Sequence, residues 1–427
     1  MTMLPRITDI ERIVVKIPFR ESVAKWFSIS ANHCQVIEVV RVLTDDPDVI
    51  GYGETMINYV AVTHLVNDES TKRVIGRPLG DFLTDETLGA GLQMALYDAV
   101  GKATGMPVHK LFGKTMIRQW CPVSWWNMEA PPEVLAQEAK LAVKAGYMAH
   151  KIKARPWFDI YEQVRQISAV TPLGYAIDID WNCQLNQPAN AVPILEELSR
   201  YERVGLFEDP VSRTDIVGQR AVRERASRPV ATHFVEELFV EQMRQNAVDG
   251  YVVDGSINRV LNIGTLLNAH TKGAFLQLCG SGITVALSLH LGAVLSQAHW
   301  PYVSMVTSFT EDLLATPLEI KGGYAKVPTG PGLGIQVDDK ALDRLRINPP
   351  YELKLPRRIY TFNIGDGRSK KYATVAQIWA DTQVQGNVPH QPRGSSLDIL
   401  DDDGSKSFGQ LYAKALLEPI WDVADSQ

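Results

Sequence analysis

Cysteine is scarce in this chain of 427 residues, and so is any long apolar run. The four cysteines, Cys34, Cys121, Cys183 and Cys279, stand far apart. They form no CxxC or Cys/His spacing of a zinc site and no disulfide framework. No stretch of about 18 apolar residues occurs, so no spanning helix and no membrane partner are expected. Basic blocks are missing too, and the net charge of −6 argues against a nucleic-acid partner. The N-terminus lacks a basic segment followed by an apolar one, so no signal peptide is expected. A reducing, cytoplasmic setting is the expectation that follows.

What is there is ordinary for a globular protein: 45% hydrophobic and 22% charged residues, in a length that suits a large barrel plus a second domain. Residues 1 to about 60 are β-rich, with β-branched runs at Ile7 to Ile17 and Val36 to Leu43. The turn Asp45-Asp46-Pro47-Asp48 separates the second run from Val49–Glu54. From about residue 60 the period becomes helical, with Leu88, Leu92, Ala95, Leu96 and Ala99 on one face, until Gly105-Met106-Pro107 stops it.

Past Cys121 short apolar strands alternate with amphipathic helices. The strands expected are Pro122–Trp126, Ala149–Lys153, Ala176–Asp180, Gly205–Glu208, Pro229–His233, Gly250–Asp254, Phe275–Cys279 and Tyr302–Val306. Their number and their repeat of roughly 25 residues are those of a (β/α)8 barrel, whose active sites lie at the C-terminal strand ends. Lys153, Asp180, Glu208, His233 and Asp254 close such strands. Helix capping accounts for an aspartate or two at these junctions, but not for Lys153 or Glu208.

Alternation along Ala149–Lys153 points Lys151 and Lys153 to one face. Two ammonium groups so placed lower each other's proton affinity, and burial lowers it further, which makes a neutral lysine base. Asp180 and Asn182 share a face by the same alternation, and Glu208 ends the next strand. Carboxylates on strands about 4.8 Å apart repel unless a cation joins them, and oxygen donors suit Mg²⁺. The competing reading is a solvated acidic surface. A metal opposite a lysine base suits removal of the α-proton of a carboxylate, with the enediolate charge held by the metal.

The runs Ala95–Val108, Lys151-Ile152-Lys153, Asp180-Trp181-Asn182, Phe207-Glu208-Asp209-Pro210, Gly322-Gly323-Tyr324 and Pro331-Gly332-Leu333-Gly334 together resemble the enolase superfamily, mandelate racemase/muconate lactonizing enzyme group. The resemblance covers about residues 5 to 348. It implies an α/β fold: a modified (β/α)8 TIM barrel under an α+β capping domain built from both chain ends. It also implies Lys153 as the base, Lys151 as its electrostatic partner, and Asp180 and Glu208 as Mg²⁺ ligands.

Departures fall on the later strands. Where the family has a third acidic ligand, this chain has Thr232-His233-Phe234, with no acid until Glu236. Either His233 binds the metal, or Glu236 reaches in past a bulge, or two carboxylates suffice; a histidine ligand would favour Mn²⁺ or another softer divalent ion. His233 as a hydrogen-bonded pocket residue is the competing reading. Ser256 stands where the sixth strand should carry a lysine or aspartate, and Gly280-Ser281-Gly282 replaces the histidine after the seventh. Asp254 is the candidate substitute, or else a cap or surface acid. Asn182 is a candidate substrate contact. Trp125 and Trp126 line the pocket or fill the core. His290 and His299 read as structural, and His33 as part of a substrate-specificity loop.

The expectation is therefore a carbon–oxygen lyase acting on a small-molecule carboxylate, most simply a sugar-acid dehydratase. A racemase or epimerase, using Asp254 or His233 as second base, is the alternative, and a catalytically degenerate scaffold the third. Expected domains are a cap at 1–120, the barrel at 121–315, a return to the cap at 316–350, and a loosely packed extension at 351–427 with a helix near Leu411–Leu417. That extension is expected to pack on the cap or on a neighbouring subunit of a homo-oligomer.

Overall fold

The β-branched runs that open the chain form three strands, Ile7–Lys16, Val36–Thr44 and Gly51–Met56, paired antiparallel in that order. The computed structural model describes residues 4–56, 66–349, 351 and 355–423; the start of the helical stretch expected from about residue 60 lies outside them. One face of this sheet packs on the helix Ala90–Thr104 through Leu92, Ala95, Leu96 and Ala99 against Val40 and Val42. The approach is close enough that a Cβ on Gly53 would lie 2.1 Å from the Gly91 carbonyl. Gly105, at φ 68°, ends the helix in the left-handed conformation that glycine adopts without steric cost. Buried Asp98 on this helix accepts from the N–H groups of Tyr52 and Leu333, which ties the late turn Pro331–Gly334 to the N-terminal unit.

The barrel is a curled parallel sheet of seven strands: Trp125–Trp126, Ala149–Lys153, Ala176–Asp180, Val204–Glu208, Val230–His233, Gly250–Val253 and Gly273–Leu276, in that order. Strand Tyr302–Val306 does not form. Two residues do its work: Tyr302 bridges Val123, and Val303 bridges Gln277, so the ring closes without a full eighth strand. Ser304 and the 3-10 turn Val306–Ser308 end the extended backbone there. The sixth strand stops at Val253, and the seventh lies earlier than expected, ending at Leu276. Among the described residues no helix is long and apolar enough to cross a membrane.

The C-terminal segment is a correction to the expected loose extension. Strands Ser396–Asp401, Arg358–Asn363, Arg368–Tyr372 and Ile420–Val423 make a four-stranded antiparallel sheet in that order, with the helices Val375–Trp379 and Lys406–Leu417. A hairpin through Gly365-Asp366-Gly367 joins two of the strands, both glycines at φ 90°. Its core of Tyr360, Phe362, Tyr372, Ile378 and Leu397 is continuous with Trp157 and Phe158 of the barrel and Ile29 of the helix Glu21–Ser30. An ion pair between Lys370 and Asp381, 2.5 Å long, is buried inside this unit, and Tyr372 donates to the same carboxylate. The segment therefore docks on barrel and cap together.

Candidate active site

Register builds the site. Lys151 lies opposite Asp178, Lys153 opposite Asp180, and Asp180 opposite Glu208 on successive parallel strands. Side chains directly across a sheet share a face, so both lysines and both carboxylates point into the barrel. Lys151, Asp180 and Glu208 are fully buried and Lys153 is 7% exposed. The Lys151 ammonium lies 2.6 Å from Glu208 Oε2, 3.3 Å from Asp180 Oδ2 and 2.5 Å from Gln277 Oε1. Lys153 Nζ donates to Asp180 Oδ2 and, at 3.1 Å, to Asn182 Oδ1. Beyond the strands the chain turns through Asn182 at φ 46° and Asp209 at φ 44°. Asn182 N–H donates back to Asp180 Oδ1, which helps that conformation.

These contacts push the two lysines apart. Burial lowers the proton affinity of Lys151, but Glu208 and then Asp180 outweigh it, and its pKa is raised. For Lys153 burial is again the largest influence; Asp180 opposes it, while Lys151 and Arg155 add to it, and the net pKa is lowered. Asp180 resists its own desolvation because Lys153 and Lys151 hold it ionised, well below the usual carboxylate range. Burial, and then the neighbouring Asp180 charge, raise Glu208 to about 7. Asp178, one layer deeper, is also raised to about 7 by burial.

Glu208 Oε1 is buried with no hydrogen-bond partner, while Oε2 meets the Lys151 ammonium. A buried carboxylate left so poorly satisfied is costly without a cation. Glu208, Asp209 and His233 present donor atoms within 4.8 Å of one another. Asp209, however, is already saturated: Arg213 and His233 Nδ1 bond its Oδ2, and Thr232 bonds its Oδ1. Asp180 and Glu208 are thus the pair with capacity for a divalent ion, and hard oxygen donors of this kind fit Mg²⁺. Lys151 now fills the space between them and is the ion's competitor.

His233 stands beside this pair, with Nδ1 3.7 Å from Glu208 Oε1 and 2.7 Å from Asp209 Oδ2. Assigning the Nδ1 proton to the Asp209 contact leaves Nε2 as acceptor, 3.4 Å from the Gln277 amide nitrogen. Gln277 in turn accepts from Lys151, so a continuous chain runs Asp209, His233, Gln277, Lys151. Asp254, just past the sixth strand, is raised by burial, with His233 and Arg213 opposing. Glu236 begins the helix Glu236–Arg244, is exposed and pairs with Arg259, so it does not reach into the barrel. Trp125 lies opposite His150, and Trp126 opposite Lys151. The Trp125 indole donates to Glu138 of the helix Pro132–Lys144 at 3.1 Å, which turns it away from the face that carries the lysines. His290 is buried against His109. At the turn Gly280-Ser281-Gly282 the Ser281 and Thr284 N–H groups and the Ser281 hydroxyl all donate to Glu54 of the capping sheet.

Two residues at the mouth escaped the sequence reading. Arg155 continues the alternation of Lys151 and Lys153, a visible signal; it is 3% exposed and donates to Asn182 Oδ1 at 2.9 Å. Gln277 carried no signal, because the strand before it was placed too late.

Comparison with known proteins agrees with this fold. The family described as "Enolase C-terminal domain-like" matches residues 134–341. Arabinonate dehydratase of Saccharolobus solfataricus is 27% identical over 278 residues, 60% of this chain and 71% of that protein. N-succinyl-L-Arg/Lys racemase of Bacillus cereus is 22% identical over 376 residues, 80% of this chain and 98% of its own. Among solved structures, 2-chloromuconate cycloisomerase from Rhodococcus opacus superposes with a TM-score of 0.66 at 19% identity, over 80% of this chain and all of that one. The relatives include dehydratases, racemases or epimerases, and a cycloisomerase. Residues 134–341 thus match the enolase C-terminal domain-like family, and the chain has the fold of the mandelate racemase and muconate cycloisomerase structures, to which it is similar.

Proposed function

We propose that the protein removes the α-proton of a hydroxy-carboxylate with Lys153 and goes on to dehydrate it, as a sugar-acid dehydratase. The observation that carries this reading is the split between the lysines. Lys151 is enclosed between Glu208 and Asp180, whereas Lys153, on the same face, reaches the mouth at 7% exposure with Asn182 beside its Nζ, and burial lowers its proton affinity. A base needs the second condition and an electrostatic partner needs the first.

Asp180 and Glu208 would hold a divalent ion, Mg²⁺ by the oxygen character of the set, with His233 the neighbouring donor. Such an ion, when bound, supplies positive charge to a substrate carboxylate. The protein's own steps are simple. Lys153 takes the α-proton. The electron pair left behind expels the β-hydroxyl, and the Lys153 ammonium returns its proton to that oxygen, so water leaves and an enol remains to become the keto acid. One lysine serves as base and acid in turn if both groups leave from one face. Asn182 orients Lys153 through its amide oxygen.

Epimerisation is the second reading, favoured by one observation: His233 is oriented by Asp209 at 2.7 Å, as a second base would be. Incubation with a panel of sugar acids (gluconate, arabinonate, galactonate, xylonate) and semicarbazide separates the two. Dehydration yields a trapped 2-keto-3-deoxy acid in wild type and none in Lys153→Ala. Epimer without keto acid would overturn the dehydratase reading.

A further inference from the structure

The C-terminal unit does more than cover the barrel. Its helix Val375–Trp379 brings the Trp379 ring under the Arg155 guanidinium, 5.1 Å from its centre. Trp379 also meets Trp157 edge-on at 5.7 Å, and Trp157 is fully buried. The same barrel loop is gripped twice more: Gly394 N–H donates to Asp159 Oδ2 at 2.7 Å, and Asp159 N–H donates to the Ser395 carbonyl. The next loop is reached by Gln383, which donates to the Gln184 carbonyl. On the other side Arg358 donates to Ser28 in the helix Glu21–Ser30 of the cap.

Arg155 is the point where this scaffold touches the site. Its Nη1 donates to its neighbour Ala154 and its Nη2 to Asn182 Oδ1, the atom that also accepts from Lys153 Nζ. Arg155 Nε, buried, has no hydrogen-bond partner, and its acidic neighbour Glu129 is 3.7 Å away. Two hydrogen bonds and the Glu129 carboxylate hold the guanidinium edge on the barrel side, and the Trp379 indole closes over its face.

We propose that Trp379 is a positioning residue of the active site: it clamps Arg155 against Asn182, and Asn182 thereby holds Lys153 in line for proton transfer. The C-terminal unit is on this account an integral wall of the site. The proposal rests on the reading of Lys153 as base. It predicts a loss of turnover without a matching loss of substrate binding, because what is lost is alignment at the reacting atom, where a displacement of about 1 Å costs roughly 100-fold.

The test measures α-proton exchange of the same sugar acids in deuterated water, with the full chain. Trp379→Ala should lower kcat by about 10- to 100-fold with KM within about threefold, and Trp379→Phe should restore most of the rate, since a phenyl ring still stacks. Phe408→Ala is the control. Phe408 is buried in the C-terminal unit but away from Arg155, so its loss weakens the unit generally. A Phe408→Ala protein as slow as Trp379→Ala, or wild-type kcat in Trp379→Ala, overturns the proposal. Lys153→Ala distinguishes the two levels. Exchange that survives in it ends the base reading and the proposal with it; exchange lost there but intact in Trp379→Ala ends the proposal alone. A second arm needs no turnover. In ¹⁵N-arginine-labelled protein the Arg155 Nε–H signal, assigned by Arg155→Lys, should be shifted upfield by the ring in wild type and Trp379→Phe and lose that shift in Trp379→Ala. An unshifted wild-type signal refutes the clamp, and decides the matter if no acid in the panel exchanges.

Discussion

The two halves of the barrel mouth are built on different chemistry. On the second, third and fourth strands stand ionisable groups in register, Lys151 and Lys153 against Asp180 and Glu208, buried and within bonding distance. Around the fifth to seventh strands the groups are held in a hydrogen-bond chain, Asp209 to His233 to Gln277, and the turn after the seventh is filled by Glu54 from the cap. The charged half has what proton removal and cation binding need. The other half contributes orientation and attachment. A cluster of buried ionisable groups is expensive in stability and so points to the first half as the candidate site, whereas the buried carboxylate of the second half, Asp209, is matched by Arg213 and His233.

The sharpest way to break this comparison is to remove one charge from the first half. Asp180→Ala should abolish divalent-ion binding, weakening it by more than about 100-fold, whereas His233→Ala should cost about tenfold, the usual effect of a supporting group. Isothermal titration with Mg²⁺ and Mn²⁺ reads both. Equal losses would make the two halves partners in one metal site. Should the His233→Ala affinity be unchanged, His233 is neither ligand nor support.

Next in size comes the attachment of cap to barrel. Glu54→Ala strands two backbone N–H groups and a hydroxyl that its carboxylate now satisfies, and should cost about 3 kcal/mol by urea unfolding; Glu54→Gln keeps an acceptor and should cost less. Equal stability of the alanine variant and wild type would show that this joint carries no weight.

The smallest effect is a pH dependence outside the site. His290 is held near 4, chiefly by burial, and with Nε2 donating to the Leu333 carbonyl its Nδ1 must stay unprotonated to face His109. Its folded pKa is depressed below the ordinary 6.5, so it contributes stability that is complete above pH 6.5 and lost as pH falls towards 4. The limit is about 3 kcal/mol. Asp178 and Glu208, raised to about 7, run the other way, losing stability as pH rises through that value, so the wild-type profile mixes both. The difference between wild type and His290→Gln isolates the histidine: the gap in melting temperature should narrow from pH 7 to pH 5. A constant gap would refute it.

Much of the barrel was legible because its early strands alternate cleanly. Ala149–Lys153 and Ala176–Asp180 have the bounds that pattern gives. Later strands are apolar on both faces, and an apolar run does not say where a buried strand ends. Hence Gln277 was assigned inside a strand that ends at Leu276, and its link to Lys151 went unseen. The sheet at 358–423 was hidden by its charges. Arg368, Lys370 and Lys371 look like a solvated run, yet Lys370 is 5% exposed and paired with Asp381, a contact between residues that no local pattern connects. The turn Gly365-Asp366-Gly367 was the signal available. Trp125 was read by type: an aromatic at a strand end, whose facing depended on the register with His150.

The claim that proton transfer belongs to the charged half alone is tested most directly by the configuration of substrate recovered from deuterated water. Wild type should incorporate deuterium at the α-carbon without inversion. Lys153→Ala should lose that exchange by about 1,000-fold while still binding Mg²⁺, and His233→Gln should keep it. Inverted substrate from wild type, or undiminished exchange in Lys153→Ala, would contradict the account.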